Sequence, residues 1–129
     1  MTGDETSRVR WGLTTVQGLV DQSPYLPLED PAEAVAERLL MLGSTPENKF
    51  SEYLKTAKIK EGGDISCSCD AVDHILATYG HLIGEERKLI ELANEAGDDA
   101  TADLMTGYLK EQEKLVWMLV AFSTKGCEK

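Results

Sequence analysis

Two long runs of residues with helical spacing, separated by one glycine, constrain the fold of this chain more than any other feature. In the first run, from Cys69 to Ala96, apolar side chains recur at intervals of three and four positions, which lines one face of an α-helix. The second run opens directly after Gly97 and continues to Phe122 with the same spacing. Gly97 suits the left-handed conformation that ends many helices, so the pattern predicts two long helices joined by a tight turn.

Two shorter helices are predicted upstream of this pair. The segment from Pro31 to Gly43 has a capping residue at Asp30, a proline at the first helical position and a glycine at the end, which is typical of a short helix. The segment from Thr45 to Ile59 has apolar residues at helical spacing and predicts a small, half-exposed helix. A turn is expected over Glu61 to Ser66. Because no stretch shows the alternation of a strand, the predicted class is all-α.

The first 30 residues are less regular than the rest. Arg8 to Val20 has some helical spacing, but Gly12 and Gly18 each weaken such a helix by roughly 1 kcal/mol. Three prolines follow, at positions 24, 27 and 31, and each interior proline costs a helix about 3 kcal/mol or more. We therefore expect shortened N-terminal helices within a single domain over residues 1–129.

The chain is acidic, with a net charge of -10 over 129 residues and a pI near 4.6. This charge repels the phosphate backbone and disfavours DNA binding, whereas it favours cations such as metal ions as partners. The polar N-terminus predicts no signal peptide, and no apolar run approaches the roughly 20 residues that span a membrane. Three cysteines do not suggest a disulfide framework, so we expect a reduced, cytoplasmic protein.

Two details of the long helices bear on their packing. Glu86 falls on the apolar stripe of its helix, and a polar neighbour across the bundle, such as Gln112, is expected to satisfy it. Trp117, Met118 and Val120 widen the apolar surface near the end of the last helix. We expect that end to be covered from more than one side, and a partner subunit is one explanation.

Several segments in one order resemble a known family: AERLLMLGSTP, then FSEYLKTAKIKE, then the stretch that runs from DAVDHILATYGHL to EQEKLVWMLVAF. Together they resemble the Dps mini-ferritins over about Ala32 to Phe122. The resemblance implies a ferritin-like four-helix bundle, with a short helix between the second and third bundle helices, that assembles into a hollow dodecamer. It also implies oxidation of ferrous iron by peroxide or oxygen, storage of the ferric mineral and, often, shielding of DNA. Residues 31–124 conform to the family pattern, and residues 1–30 diverge from it.

The resemblance places an iron site between two subunits, and this chain matches its ligands only in part. The family's acidic pair before RLL corresponds to Glu33 and Glu37. Four positions apart on a helix, these carboxylates share a face and suit a hard or borderline cation; a solvated polar face is the alternative. The family's His-x-x-x-Asp pair falls on Gly18 and Gln22, with Asp21 one residue away. The histidine half is therefore absent, and we expect weak ferroxidase activity.

A second acidic pair, Asp99 and Asp103, matches acids that line the three-fold pores of Dps shells, where iron enters. Two carboxylates from each of three subunits would form a negative funnel that concentrates cations. The alternative is a capped helix start, which explains Asp98 or Asp99 well. It explains Asp103 less well, because this residue lies about one turn inside the helix and no cap requires it.

Other candidate ligands have simpler explanations. One group of residue types that bind metals or change redox state begins the first long helix: Cys67, Cys69, Asp70, Asp73 and His74. A lone C-x-C motif lacks the second ligand pair of a zinc site, so we interpret these residues as an ordinary helix start. His81, close to Glu85, is interpreted as a surface histidine.

The sequence leaves two functions open. One is a Dps-like subunit that binds and stores iron, with iron as its implied cofactor and with iron ions and further copies of the chain as partners. Its metal ligands would be Glu33, Glu37, Asp99 and Asp103, and no catalytic residue or other cofactor-binding residue is proposed. The other is a catalytically silent helical module that keeps the Dps packing surfaces, which the irregular, histidine-free N-terminal quarter favours.

Overall fold

The computed structural model describes residues 8, 10, 31–59 and 61–126. We number the helices whose ends it describes along the chain: α1 is Pro31–Met41, α2 is Phe50–Thr56, α3 is Ser68–Ala96 and α4 is Asp99–Gly126. The described residues contain no strand, which confirms the all-α prediction for this part of the chain. Asp30, predicted to cap the first of these helices, lies outside the described residues.

Helix α1 ends where its sequence predicts. The backbone at Gly43 has φ 75°, a left-handed conformation that glycine adopts without steric cost. This turn lets the Gly43 amide donate to the Leu40 carbonyl and the Ser44 amide donate to the Leu39 carbonyl, both at 2.9 Å. Two of the carbonyls that the end of the helix leaves without a helical partner are thereby satisfied.

Helix α2 is shorter than predicted, because it spans only Phe50–Thr56 instead of Thr45 to Ile59. The proline at position 46 disfavours helical backbone at the residue before it, which explains why the helix does not begin there. Glu47 then uses its Oε1 atom to accept hydrogen bonds from the amides of Asn48 and Lys49, at 2.8 and 3.0 Å. These contacts stabilise a non-helical segment where the first helical turn was expected, and α2 buries none of its residues.

Helices α3 and α4 pack against each other and form the main body of the described structure. Gly97 between them has φ 69° and ψ 23°, as predicted for a left-handed helix end. The amide of Asp98 donates to the carbonyl of Ala93 at 2.8 Å, which closes the turn. So short a connection makes the two helices antiparallel neighbours.

The core lies where α1 packs onto this pair. Six buried apolar side chains, contributed by all three helices, form one cluster: Val35, Leu39, Leu82, Leu89, Ala96 and Met105. The end of α4 is different, because Trp117, Met118, Val120 and Phe122 are exposed in the single chain. Large exposed apolar surfaces are typical of interaction sites, and the expectation that something further covers this end stays a prediction.

The cysteines correct one expectation. Cys69 is disulfide-bonded, whereas Cys67 is exposed and free. The prediction of a fully reduced chain is therefore wrong for Cys69, because an odd number of cysteines leaves room for one pair. None of the described helices is long and apolar enough to cross a membrane.

Candidate functional site

A buried network joins α1 to the start of α4. The Arg38 guanidinium donates from Nη2 to Asp98 Oδ1 at 2.7 Å and from Nε to Thr101 Oγ1 at 2.9 Å. Thr101 in turn donates to Asp98 twice, from its amide to Oδ1 at 3.1 Å and from its hydroxyl to Oδ2 at 2.5 Å. Asp98 and Thr101 are buried. The network therefore holds the corner between the three packed helices.

The charge state of Asp98 follows from these contacts. Burial acts to raise the pKa of this carboxyl, but the two hydrogen bonds from Thr101 and the positive charge of Arg38 together outweigh it and lower the pKa. Asp98 therefore stays ionised at neutral pH. A buried carboxylate that pairs with a guanidinium is tolerated in the interior. Either group without its partner would be a buried charge that destabilises the fold.

This geometry decides which aspartate caps α4. The Asp98 side chain accepts the hydrogen bond from the Thr101 amide, which is the role of an N-cap residue. Asp99 and Asp103 are both exposed, the first as the opening residue of the helix. Because they are four positions apart, they lie on one face of α4. Asp99 is therefore not needed as the cap, and local structure explains neither of the two exposed acids.

The other acidic pair lies on α1. Glu33 and Glu37 are both exposed and occupy one face of this helix, since they are also four positions apart. Glu37 directly precedes Arg38 and Asp99 directly follows Asp98, so one member of each acid pair adjoins the buried network in sequence. In the part of the chain that the structure describes, no group of three or more His, Cys, Asp or Glu side chains could hold a metal ion. One chain thus presents the acids as two separate pairs.

Arg38 and Thr101 have a structural role that the sequence did not reveal. Arg38 was not among the residues singled out from the sequence, and its side chain is only 19% exposed. The sequence contains one indication that Arg38 is partly buried. This residue lies in the last turn of α1 beside Leu39, which is buried in the core. Thr101 is fully buried, and its place three residues after a capping aspartate is the typical position of a capping partner.

The predicted pair inside the bundle is present. Gln112 donates from Nε2 to Glu86 Oε1 at 2.8 Å, and both residues are buried. Burial raises the pKa of Glu86 to about 7, although the hydrogen bond from Gln112 acts in the opposite direction. The expectation that Gln112 is the polar partner of Glu86 is confirmed.

The remaining candidates are not brought together as a site. His81 is half-buried, and its Nε2 atom is buried without a hydrogen-bond partner among the described residues, so its interpretation as a surface histidine is wrong. Glu85 is bound instead by Lys88 at 2.9 Å and by Lys58 at 3.5 Å. Cys67 precedes the first residue of α3 as its N-cap, as a helix-start interpretation predicts. Gly18, Asp21 and Gln22 lie outside the described residues.

Comparison with known proteins identifies the family. A sequence model described as the ferritin-like domain matches residues 24–126. A DNA protection during starvation protein of Porphyromonas gingivalis is 48% identical over 101 residues, which cover 78% of this chain and 64% of that protein. An uncharacterised protein of Haemophilus influenzae is 42% identical over 97 residues, covering 75% and 61% of the two chains. The chain thus spans less than two thirds of the length of these relatives.

Solved structures have the same fold. The Dps protein of Vibrio cholerae O1, described as a member of a broad superfamily of ferritin-like diiron-carboxylate proteins, superposes with a TM-score of 0.86 at 28% identity, covering 95% of this chain and 92% of that one. A Dps protein of Bacillus brevis superposes with a TM-score of 0.80 at 26% identity, covering 95% and 99%. These likenesses confirm the ferritin-like bundle. The chain belongs to the ferritin-like family, and within it to the Dps mini-ferritins.

Proposed function

We propose that this chain is the subunit of a mini-ferritin that binds and stores iron, with ferrous iron as its substrate. The observation that carries the proposal is the distribution of charged side chains where α1 packs against the start of α4. Asp98 and Arg38 neutralise each other in the interior, while two acid pairs, Glu33 with Glu37 and Asp99 with Asp103, are exposed. Exposed carboxylates on a chain with a net charge of -10 favour the approach of cations.

We assign iron binding to Glu33 and Glu37. Side chains four apart on a helix have Cβ atoms about 5–6 Å apart, which suits two oxygen ligands to one cation, and carboxylate oxygens suit hard cations. Since the described residues of one chain add no third ligand, the remaining ligands must come from water, a second copy or the rest of this chain. Oxidation of ferrous iron is therefore expected to be slow, because histidine ligands at the family positions are missing.

The apolar end of α4 supports self-association into a shell. Four large apolar side chains are exposed there on one helix: Trp117, Met118, Val120 and Phe122. Their burial against further copies would stabilise an assembly by roughly 25 cal/mol for each Å² of apolar surface removed from water. In such an assembly Asp99 and Asp103 of neighbouring copies meet at the entry for iron.

DNA protection, which the names of the relatives mention, is proposed to work here through removal of iron. A net charge of -10 opposes direct contact with a phosphate backbone. Salt-sensitive retardation of DNA by the purified protein at physiological ionic strength would contradict this part of the proposal.

The binding of iron by α1 can be tested with a pair of matched variants. We expect Glu33→Gln/Glu37→Gln to weaken anaerobic binding of Fe²⁺ by about tenfold or more, as loss of metal-site partners commonly does. Glu91→Gln/Glu95→Gln is the control, because these exposed acids have the same spacing on α3. Isothermal titration calorimetry under nitrogen measures both. Equal affinity in the two double variants would show that the α1 pair is only a solvated helix face.

The alternative function, a catalytically silent helical module, is favoured by the proline-rich, histidine-free N-terminal quarter of the sequence. Size-exclusion chromatography with light scattering, combined with metal analysis of the same particle, separates the two functions. A large assembly that retains iron supports the mini-ferritin. A monomer or dimer without iron supports the silent module and removes the pore altogether.

A further inference from the structure

The pair of Glu86 and Gln112 leaves two buried acceptor atoms unsatisfied. Gln112 Nε2 and Glu86 Oε1 bond to each other at 2.8 Å, but Glu86 Oε2 and Gln112 Oε1 have no hydrogen-bond partner among the described residues. Glu86 is 0% and Gln112 is 3% exposed. An unpaired polar atom in the interior costs free energy comparable to a lost hydrogen bond, so such atoms are rare in native structures.

The chemistry of these atoms indicates what is missing. A carboxylate has two oxygens that only accept, and the amide oxygen of glutamine also only accepts. The pair therefore lacks one donor. A proton on Glu86 Oε2 supplies it, because the neutral acid can donate to Gln112 Oε1 while Oε1 continues to accept from Nε2.

We propose that Glu86 and Gln112 form a buried binding site for a single proton, in which the neutral Glu86 carboxyl and the Gln112 amide exchange two reciprocal hydrogen bonds between α3 and α4. No bond of the pair breaks on protonation, and the only ligand is H⁺ from solvent. The site lies inside the bundle, away from both acid pairs, so it is independent of the iron function proposed above.

The surroundings of Glu86 favour the neutral form. The titratable side chains near Glu86 are Tyr79 on α3 and Tyr108 on α4. Burial raises the pKa of both phenols, and the charge of an ionised Glu86 acts in the same direction. The two bases that follow Glu86 on α3 are exposed and pair with other acids. Arg87 pairs with Glu113 at 2.6 Å, and Lys88 pairs with Glu85 at 2.9 Å. Neither base is available to neutralise a Glu86 carboxylate.

Helices α1 and α2 and the residue Arg8 add no counter-charge to Glu86. From α1, the residues packed into the core are apolar, namely Val35 and Leu39, and Arg38 is committed to Asp98. Helix α2 buries nothing. Of the described residues near the N-terminus, Arg8 is exposed and pairs with Glu95 at 3.4 Å. An ionised Glu86 would thus be a buried charge with no cation among these described residues, which is the costly arrangement.

The direction of the pH dependence follows from the raised pKa of Glu86, about 7 against 4.5 in the unfolded chain. Between these values the folded state binds the proton and the unfolded state does not, so stability falls as pH rises through this window and levels off above about 7. Between about pH 5 and pH 8 the ratio of folded to unfolded protein should fall on the order of 100-fold because of this one group.

The test compares the native chain with Glu86→Gln, an isosteric side chain that can keep the amide pair without titrating. We expect the fall in the folded-to-unfolded ratio, measured by urea denaturation at several pH values, to be lost in the variant. The control Glu91→Gln, an exposed acid on the same helix, should keep the native pH dependence. The difference between native and variant chains removes the contributions of all other groups.

Two further measurements keep the inference falsifiable if Glu86→Gln folds poorly. Infrared spectra of the native chain at about pH 6 should show the carbonyl stretch of a protonated carboxylic acid, and its absence would overturn the proposal. Gln112→Leu removes both hydrogen bonds of the pair, so the pH at which stability is lost should differ from that of the native chain. A pH dependence that is identical in the native chain and both variants would also overturn it, as would saturable binding of Zn²⁺ that Glu86→Gln abolishes.

Discussion

Replacement of Asp98 by alanine should destabilise the chain by about 3 kcal/mol, whereas the same replacement at Asp99 should change stability by less than about 0.5 kcal/mol. The two residues are adjacent and chemically identical. They differ because Asp98 is 5% exposed and bound by Arg38 and Thr101, whereas Asp99 is exposed.

Two losses add up at Asp98. Removal of the carboxylate leaves Arg38, whose side chain is only 19% exposed, as a largely buried charge without its partner. It also removes the N-cap of α4, which alone typically costs about 1 kcal/mol. At Asp99 neither loss occurs, and only a favourable but screened interaction with the helix dipole disappears.

Urea denaturation of Asp98→Ala, Asp99→Ala and the native chain measures these differences. Because contacts lower the pKa of Asp98, its contribution is present above the unfolded pKa near 3.8 and is lost as pH falls through the lower folded value. The gap between native chain and Asp98→Ala should therefore narrow in strong acid. Equal destabilisation by the two alanine variants at neutral pH would show that the network does not hold the corner.

Iron uptake is the second quantity with a large expected change. Asp99→Asn/Asp103→Asn should slow the uptake of iron by the assembled particle by about tenfold or more at low ionic strength, because charged funnels raise the arrival rate of cations by roughly 10 to 1,000-fold. The effect should shrink at high salt, since the Debye length falls to about 3 Å at 1 M. Both side chains are exposed and Asp98 provides the cap, so the double variant should remain folded.

The uptake is measured as iron that the particle retains after a chelator stops the reaction at successive times. Glu91→Gln/Glu95→Gln again provides the control, because it removes the same charge from exposed positions on α3. A salt-sensitive loss that is equal in both double variants would indicate a general effect of net charge. Unchanged uptake in Asp99→Asn/Asp103→Asn would remove the entry role of these acids.

The predictions from sequence succeeded where structure depends on residues close together in the chain. The end of α3 at Gly97 was predictable because one left-handed glycine and one apolar period determine it. The start of α2 was not, because the helical spacing from Thr45 onward competes with the proline at 46 and with the side-chain contacts of Glu47. When local patterns conflict, differences of about 1 kcal/mol in free energy decide which structure forms. Helical spacing alone does not show which of the competing structures is more stable.

The candidate ligands came from a different source. Glu33, Glu37, Asp99 and Asp103 were identified by resemblance to the family, and periodicity added only that each pair shares one helix face. The pairing of Glu86 with Gln112 is an intermediate case. An acid on an apolar stripe needs a partner, and the antiparallel arrangement of the two long helices leaves few polar candidates opposite it.

The sequence by itself determined the all-α class, the two long helices and the turn between them, because apolar periodicity and a single glycine act within a few residues. Only the tertiary structure decided which aspartate is the cap and which are exposed. That choice depends on Arg38, 60 residues away along the chain, which reaches the start of α4 only after α1 has packed into the core. The guanidinium of Arg38 pairs with the carboxylate of Asp98 in the interior, whereas Asp99 and Asp103 remain at the surface.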